Sequence, residues 1–208
     1  QTIKDIKPYF LFSLRNRYPE TEISAITSII IKTLFGASKL QTLTMPGNPV
    51  PVNKRKEIIR ICNELNNGKP LQYILGETDF YNCTIRVDGS TLIPRPETEE
   101  LVDLIIRENK GKEPVILDVA TGSGCIAIAL AVNLPGASVY AFDLSSGAID
   151  KAKENAVLNK AGVTFFNTDI FNPELPFSMQ VDIIVCNPPY VLESEKQFMA
   201  DNVLLHEP

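Results

Sequence analysis

Ile116-Leu117-Asp118-Val119-Ala120-Thr121-Gly122-Ser123-Gly124 is the stretch on which the fold turns. An apolar run of strand type enters a glycine turn, and the Ala-rich segment Cys125–Asn133 that follows has helical composition. Glycines at such a turn let the backbone pass close to a ligand, and the helix N-terminus adds a positive dipole. Outward from it, Ser138–Phe142, Val163–Phe166 and Val181–Cys186 repeat the strand pattern, with Ser146–Asn159 reading as a second helix between them. Strands alternating with helices predict βαβ units and a parallel sheet covered on both faces.

The glycine turn alone does not fix its ligand. Gly122-Ser123-Gly124-Cys125-Ile126-Ala127 also fits the dinucleotide fingerprint, and a tight turn with no ligand is a third reading. No phosphate-binding lysine follows the glycines, which excludes a P-loop. Asp118 precedes the glycines at the strand end, where a carboxylate suits a cationic methionine group better than a pyrophosphate. Asp143 ends the next strand, the place of an acid that grips ribose hydroxyls. These residues favour S-adenosylmethionine over a nicotinamide cofactor.

Asn187-Pro188-Pro189-Tyr190 follows the fourth strand. In open α/β sheets ligands bind beyond the carboxyl ends of strands, so this turn is expected to face the same crevice as Gly122. A planar NH₂ group attacks carbon poorly because its lone pair is delocalised. The Asn187 side-chain oxygen and the Pro188 carbonyl suit its two N–H bonds, aiming the nitrogen and spreading the positive charge that develops. Two prolines stiffen the turn, and Tyr190 supplies a flat wall. A rigid turn without chemistry is the plainer alternative.

Before the α/β part the pattern is helical. Residues 2–17 and 20–35 read as helices, the second with Ile23, Ile26, Thr27, Ile30 and Leu34 inward and Gly36 as its C-terminal cap. Leu43–Pro51 is proline-rich loop, and Asn53 is placed to cap a helix to about Asn66, with Ile58, Ile59, Cys62 and Leu65 inward and Gly68 ending it. Gln72–Leu75 with Phe80–Tyr81, and Cys83–Val87, suggest a hairpin turning at Asn82. Pro94-Arg95-Pro96 then opens a helix from Glu97 to Glu108.

Composition narrows the class. With 44% hydrophobic and 22% charged residues and no long apolar run, the 208-residue chain reads as soluble, without a membrane span and, lacking a signal-peptide layout, cytoplasmic. The four cysteines are too scattered for zinc and are expected to be buried free thiols, so no metal is expected. The single histidine, His206, leaves little material for a Ser/His/Asp or Cys/His scheme. Residues 1–75 hold 11 Lys+Arg against 5 Asp+Glu, and residues 76–208 hold 9 against 20, giving +6 and −11. Such asymmetry reflects either two different solvated surfaces or a basic module facing an acidic partner.

Asn-Pro-Pro-Tyr after a fourth strand resembles amino-group methyltransferases acting on DNA adenine, ribosomal RNA guanine or protein glutamine. Pro70-Leu71-Gln72-Tyr73-Ile74-Leu75-Gly76 and Leu92-Ile93-Pro94-Arg95-Pro96-Glu97-Thr98-Glu99 make the chain similar to release-factor glutamine methyltransferases, as do the helical start and Glu207-Pro208. That resemblance implies a Rossmann-like class I methyltransferase domain over 93–208, a β-hairpin linker over 71–92, and an all-α substrate-docking domain over 1–70. It implies a seven-stranded sheet, of which four strands are legible; the family continues past Pro208, so the domain is expected to be C-terminally incomplete. It further implies that Ala120, Thr121, Gly122, Ser123 and Gly124 wrap the methionine end of S-adenosylmethionine, with S-adenosylhomocysteine as product. Asp143 would bind the ribose, Asp169 and Ile170 the adenine, and Asn187 would lie beside the cofactor. Asn187, Pro188, Pro189 and Tyr190 would hold the substrate glutamine of a peptide-chain release factor, with Asn187, Pro188 and Tyr190 catalytic. Pro94, Arg95 and Glu99 would wall the pocket. Ala120 departs from the family, which has glycine there. Two rivals remain, a nucleic-acid amino methyltransferase, disfavoured by the acidic catalytic half, and an inactive binding fragment.

Overall fold

The structure is a computed structural model that describes residues 2–36, 47, 49–171 and 180–188. It divides into two compact units, Gln1–Ile74 and Leu75–Pro208.

In the first unit a 3₁₀ turn, Ile3–Asp5, leads into α1 (Ile6–Leu14), followed by α2 (Glu20–Phe35), α3 (Val52–Asn66) and the short α4 (Leu71–Leu75). α1 packs on α2, with Ile6, Phe10 and Leu14 of the first and Ile23, Ile26, Ile30 and Ile31 of the second buried. Gly36 closes α2 in the left-handed region at φ 63°, its N–H donating to the Lys32 carbonyl, as its position predicts. The inward stripe of α3 is Ile58, Ile61, Cys62 and Leu65. Ile59 is 49% exposed, which corrects its expected inward place: the i, i+3, i+4, i+7 stripe begun at Ile58 leaves residue 59 to one side. Asn53 does not cap this helix, because α3 begins one residue earlier with Pro51 at the cap, accepting from the Arg55 N–H. Only Gly47, Pro49, Val50 and Pro51 of the expected Leu43–Pro51 loop lie among the described residues.

The second correction concerns Gln72–Leu75, which forms α4 rather than a strand. The Ile74 N–H donates to the Pro70 carbonyl, so Pro70 starts a helical turn, and Gly76 breaks it at φ 80°. The hairpin that follows pairs β1 (Glu77–Phe80) with β2 (Cys83–Arg86). Its two-residue turn, Tyr81-Asn82, has φ of 42° and 63°. Two positive φ values mark the primed turn that matches strand twist, and asparagine tolerates that conformation better than tyrosine does.

Next come α5 (Pro96–Asn109), β3 (Val115–Val119), α6 (Cys125–Asn133), β4 (Ser138–Asp143), α7 (Ser146–Asn159), β5 (Val163–Asn167) and β6 (Ile183–Cys186). Pro96 sits at the first position of α5, with Glu97 and Glu99 in its first turn, where acids suit the helix dipole. The sheet is parallel in the order β5-β4-β3-β6. Successive strands step outward from β3 to β5, and the chain then returns to the other side of β3. That reversal opens a crevice at the carboxyl ends of the strands. Among the described residues β6 is an edge, and Ile184 on it is 68% exposed.

Two asparagines tie the hairpin to the α/β layer. Asn155 and Asn159, four residues apart on one face of α7, present side-chain amides to β2 as a neighbouring strand would. Asn159 Oδ1 accepts from the Thr84 N–H at 3.0 Å, and its Nδ2 donates to the Thr84 carbonyl at 2.8 Å. Asn155 repeats the pattern on Arg86 at 2.8 and 2.9 Å, and its Nδ2 also reaches the Ser123 carbonyl at 2.9 Å. The ion pair between Arg86 and Glu154 lies alongside. Asn155→Ala removes the partners of three backbone groups at once. It is expected to lower stability by about 2–3 kcal/mol in urea unfolding. A loss below about 0.5 kcal/mol, the range of an ordinary surface substitution, would contradict this account of the hairpin.

Candidate active site

Strand register sets the site. Val119 stands opposite Phe142 and Cys186, and Asp143 opposite Asn167. The Ala120 turn, Asp143, the segment after β5 and Asn187 therefore all leave the sheet at its carboxyl edge.

The turn is held from beneath by Asp118. Its side chain is 0% exposed and shares a face of β3 with Ile116. Oδ2 accepts from the Thr121 hydroxyl at 2.6 Å and from the Ala127 N–H at 3.2 Å. Gly124 is the N-cap of α6 and has no side chain to satisfy the helix's orphan N–H groups. Asp118 performs that task from the adjacent strand, reaching the third residue of the helix. Its Oδ1 is buried without a hydrogen-bond partner among the described residues. Burial pushes the carboxyl up to about 7, against the opposing pull of Thr121 and Ala127, and the charge of Asp143 adds to the rise.

Above this staple the backbone takes three left-handed steps, Ala120 at φ 57°, Gly122 at 55° and Gly124 at 79°. Each glycine serves a different end. A Cβ on Gly122 would meet nothing within 4 Å, so that face of the turn is open to a ligand. One on Gly124 would stand 3.0 Å from the Ala152 Cβ and 3.1 Å from Ile128, where α6 and α7 pack closely. Ala120 carries a Cβ in a conformation that favours glycine.

Asp143 is half-buried and oriented by two backbone donors. Oδ2 accepts from the Gly122 N–H at 2.8 Å, and Oδ1 from the Ser145 N–H at 2.9 Å. Ser145 in turn caps α7, its hydroxyl accepting from the Ala148 N–H at 3.2 Å. Asn167 Nδ2 donates to the carbonyls of Asp143 and Leu144, both at 2.9 Å, which joins β5 to this corner. Beyond β5, Asp169 accepts from the Phe171 N–H, and Ile170 is exposed.

Asn187 is half-buried just past β6, and its Nδ2 donates to the Thr98 hydroxyl at 3.2 Å. Thr98 lies buried in the first turn of α5, so the segment Leu92–Glu99 reaches Asn187 through it. Pro188 is exposed, while Pro189 and Tyr190 lie outside the described residues. The site thus brings together Ala120–Gly124, Asp143, Asp169, Ile170, Asn187 and Pro188 at one edge. Sequence reasoning overlooked Thr98, Asn155 and Ser145. Thr98 stood inside a quoted motif, but a threonine within a helical pattern carries no signal of its partner.

The cysteines divide. Cys62 and Cys83 are buried as expected, whereas Cys125 is half-buried and Cys186 exposed. Burial pushes the Cys125 thiol up to about 12 and raises Cys186 as well, which keeps both as thiols rather than thiolate nucleophiles. Among the described residues no group of three or more His, Cys, Asp or Glu is placed to hold a metal ion. No helix there is long and apolar enough to cross a membrane.

The fold and site define a class that the comparisons specify. Residues 98–207 match the Methyltransferase small domain family, and residues 11–76 match the PrmC N-terminal domain. The release factor glutamine methyltransferase of Flavobacterium psychrophilum is 42% identical over 210 residues, spanning 99% of this chain and 73% of that protein. That of Bacteroides thetaiotaomicron is 41% identical over 203 residues, spanning 98% and 73%. The chain belongs to the release factor glutamine methyltransferase family. Among solved structures, the tRNA (uracil-54, C5)-methyltransferase of Pyrococcus abyssi in complex with S-adenosyl-L-homocysteine overlays with a TM-score of 0.45 at 22% identity. That overlay covers 54% of this chain and 28% of that one.

Two predictions test the turn. Ala120→Gly relieves a left-handed Cβ at the expense of unfolded-chain entropy, for a net gain of about 0.5–1 kcal/mol in chemical denaturation; Ala120→Val is expected to be destabilising. The second is a pH profile. Because Asp118 is raised from 3.8 to about 7, the native state holds a proton that the unfolded chain releases above about pH 4. Its contribution to stability is fully present below that point and is lost as pH rises to about 7, at about 1.4 kcal/mol per unit at most. Asp118→Asn should flatten this window in the cofactor-free protein, and parallel profiles for parent and variant would contradict the assignment.

Proposed function

We propose that the protein transfers a methyl group from S-adenosylmethionine to the side-chain amide nitrogen of a glutamine in a peptide-chain release factor. The observation that carries this reading is the carboxyl edge of the sheet, where an open glycine turn and an oriented carboxylate share one crevice with Asn187. Membership of the family supplies the substrate.

The residues fit the cofactor. The open face of Gly122 admits a ligand against the backbone, and Asp118 puts an unpartnered carboxyl oxygen beneath the turn, which a nearby cation would favour in its charged form. Asp143 takes backbone N–H groups on both oxygens yet keeps a second lone pair on each, suited to ribose hydroxyls. When bound, S-adenosylmethionine supplies a methyl on a positively charged sulfur, a leaving group that departs neutral without protonation.

The chain's part is orientation. Asn187 donates through Nδ2 to Thr98, so its Oδ1 is left to accept an N–H of the glutamine amide. The Pro188 carbonyl is assigned the second N–H and Tyr190 the flat wall of the pocket. Held so, the amide nitrogen would be aimed at the methyl that the bound cofactor would supply, with the proton it sheds passing to water. Orientation of this kind contributes up to roughly 7–11 kcal/mol. The basic helical unit, expected to dock the partner, would meet an acidic surface of the release factor. Asp169 and Ile170 are assigned to the adenine.

The test is transfer of tritiated methyl to a release factor and to its Gln→Ala loop variant. Label is expected on the first alone; equal labelling, or label on DNA or ribosomal RNA, overturns the reading. Asn187→Ala should lower kcat by about 10²–10³ with cofactor binding retained. Asp143→Ala should instead weaken S-adenosylmethionine binding by about 1.5–3 kcal/mol in calorimetry.

A further inference from the structure

We propose that Thr98 is a positioning residue for methyl transfer, anchoring the Asn187 side-chain amide that receives the substrate. The inference rests on the function proposed above and deepens it. Asparagine's two side-chain ends have nearly the same shape and opposite chemistry, one accepting and the other donating two hydrogens. Only the oxygen can receive an N–H of an incoming amide. The nitrogen turned toward the substrate would set donor against donor. Rotation of the amide through half a turn therefore separates a working site from a repelling one, and asparagine's terminal torsion is soft.

Thr98 is placed to hold the plane of that amide: its hydroxyl, able to accept or donate, takes Nδ2 and leaves Oδ1 outward. It is 8% exposed and sits in the first turn of α5, where its own N–H donates to the Arg95 carbonyl. Its hydroxyl takes the Asn187 Nδ2 hydrogen at 3.2 Å, across 89 residues of sequence. The anchor is thus a backbone-held helical residue, while Asn187 follows β6, a four-residue strand at the sheet edge among the described residues. Oδ1 is the remaining end, and among the described residues nothing donates to it. The link joins the first turn of α5 to Asn187 in one site.

Thr98→Val keeps the shape and removes the hydroxyl, and Thr98→Ser restores the hydroxyl without the methyl. With a release factor as acceptor, Thr98→Val is expected to lower kcat roughly three- to tenfold, leaving KM for S-adenosylmethionine and the thermal midpoint near the parent's. Thr98→Ser should recover most of kcat, and adding Thr98→Val to Asn187→Ala should cost nothing further. A readout independent of turnover is the Asn187 side-chain amide in ¹⁵N correlation spectra, assigned by its loss in Asn187→Ala. Its peaks should move in Thr98→Val and stay in Thr98→Ser. Unchanged kcat in Thr98→Val, with or without moved peaks, overturns the proposal while the parent still methylates glutamine. A parent that labels no glutamine overturns the function on which the proposal rests, and the proposal with it.

Discussion

The carboxylate of Asp118, buried under the glycine turn, is the contact on which the catalytic half depends. It stands on β3, an inner strand, accepts from the Thr121 hydroxyl inside the turn, and caps the helix that follows through Ala127. An ionised carboxylate taken out of water is costly unless its oxygens are satisfied, and one oxygen here is not. The raised pKa is the same fact in another form. A ligand cation near the turn would favour the charged form and lower that cost.

From that anchor the rest of the edge is assembled by backbone register and short polar links. Gly122 donates to Asp143, Asn155 holds the Ser123 carbonyl, and Asn167 binds the end of β4. Each link crosses between strands or layers, so the loops at the carboxyl edge are braced by the sheet rather than by one another. Precise placement matters more than strong chemistry for a weak amide nucleophile, and bracing of this kind supplies it. The hairpin takes part as well, since the asparagine that reads its edge also grips the turn.

Much of this was legible in the sequence. Cys125–Asn133 and Ser146–Asn159 formed helices with the expected bounds, because their periodicity and flanking Gly and Ser signals agree. β6 proved shorter than Val181–Cys186, since Val181 and Asp182 precede its pairing with β3, the Asp182 N–H and carboxylate instead bracketing Val115. Gln72–Leu75 misled because four apolar-rich residues fit a strand or a helical turn equally, and the deciding bond is made by the preceding proline's carbonyl. Thr98 and Asn155 were invisible for another reason. Their partners lie 89 and 69 residues away, and a polar side chain inside a helical pattern announces no distant contact.

The central claim is that this edge presents a glutamine amide to a methyl donor. Tandem mass spectrometry of a release factor after incubation with the protein and S-adenosylmethionine addresses it directly. The account predicts one added methyl, located on the side-chain amide nitrogen of a single loop glutamine and absent from the Asn187→Ala reaction. A methyl on any other residue, or an unmodified glutamine under conditions where the cofactor binds, would contradict it.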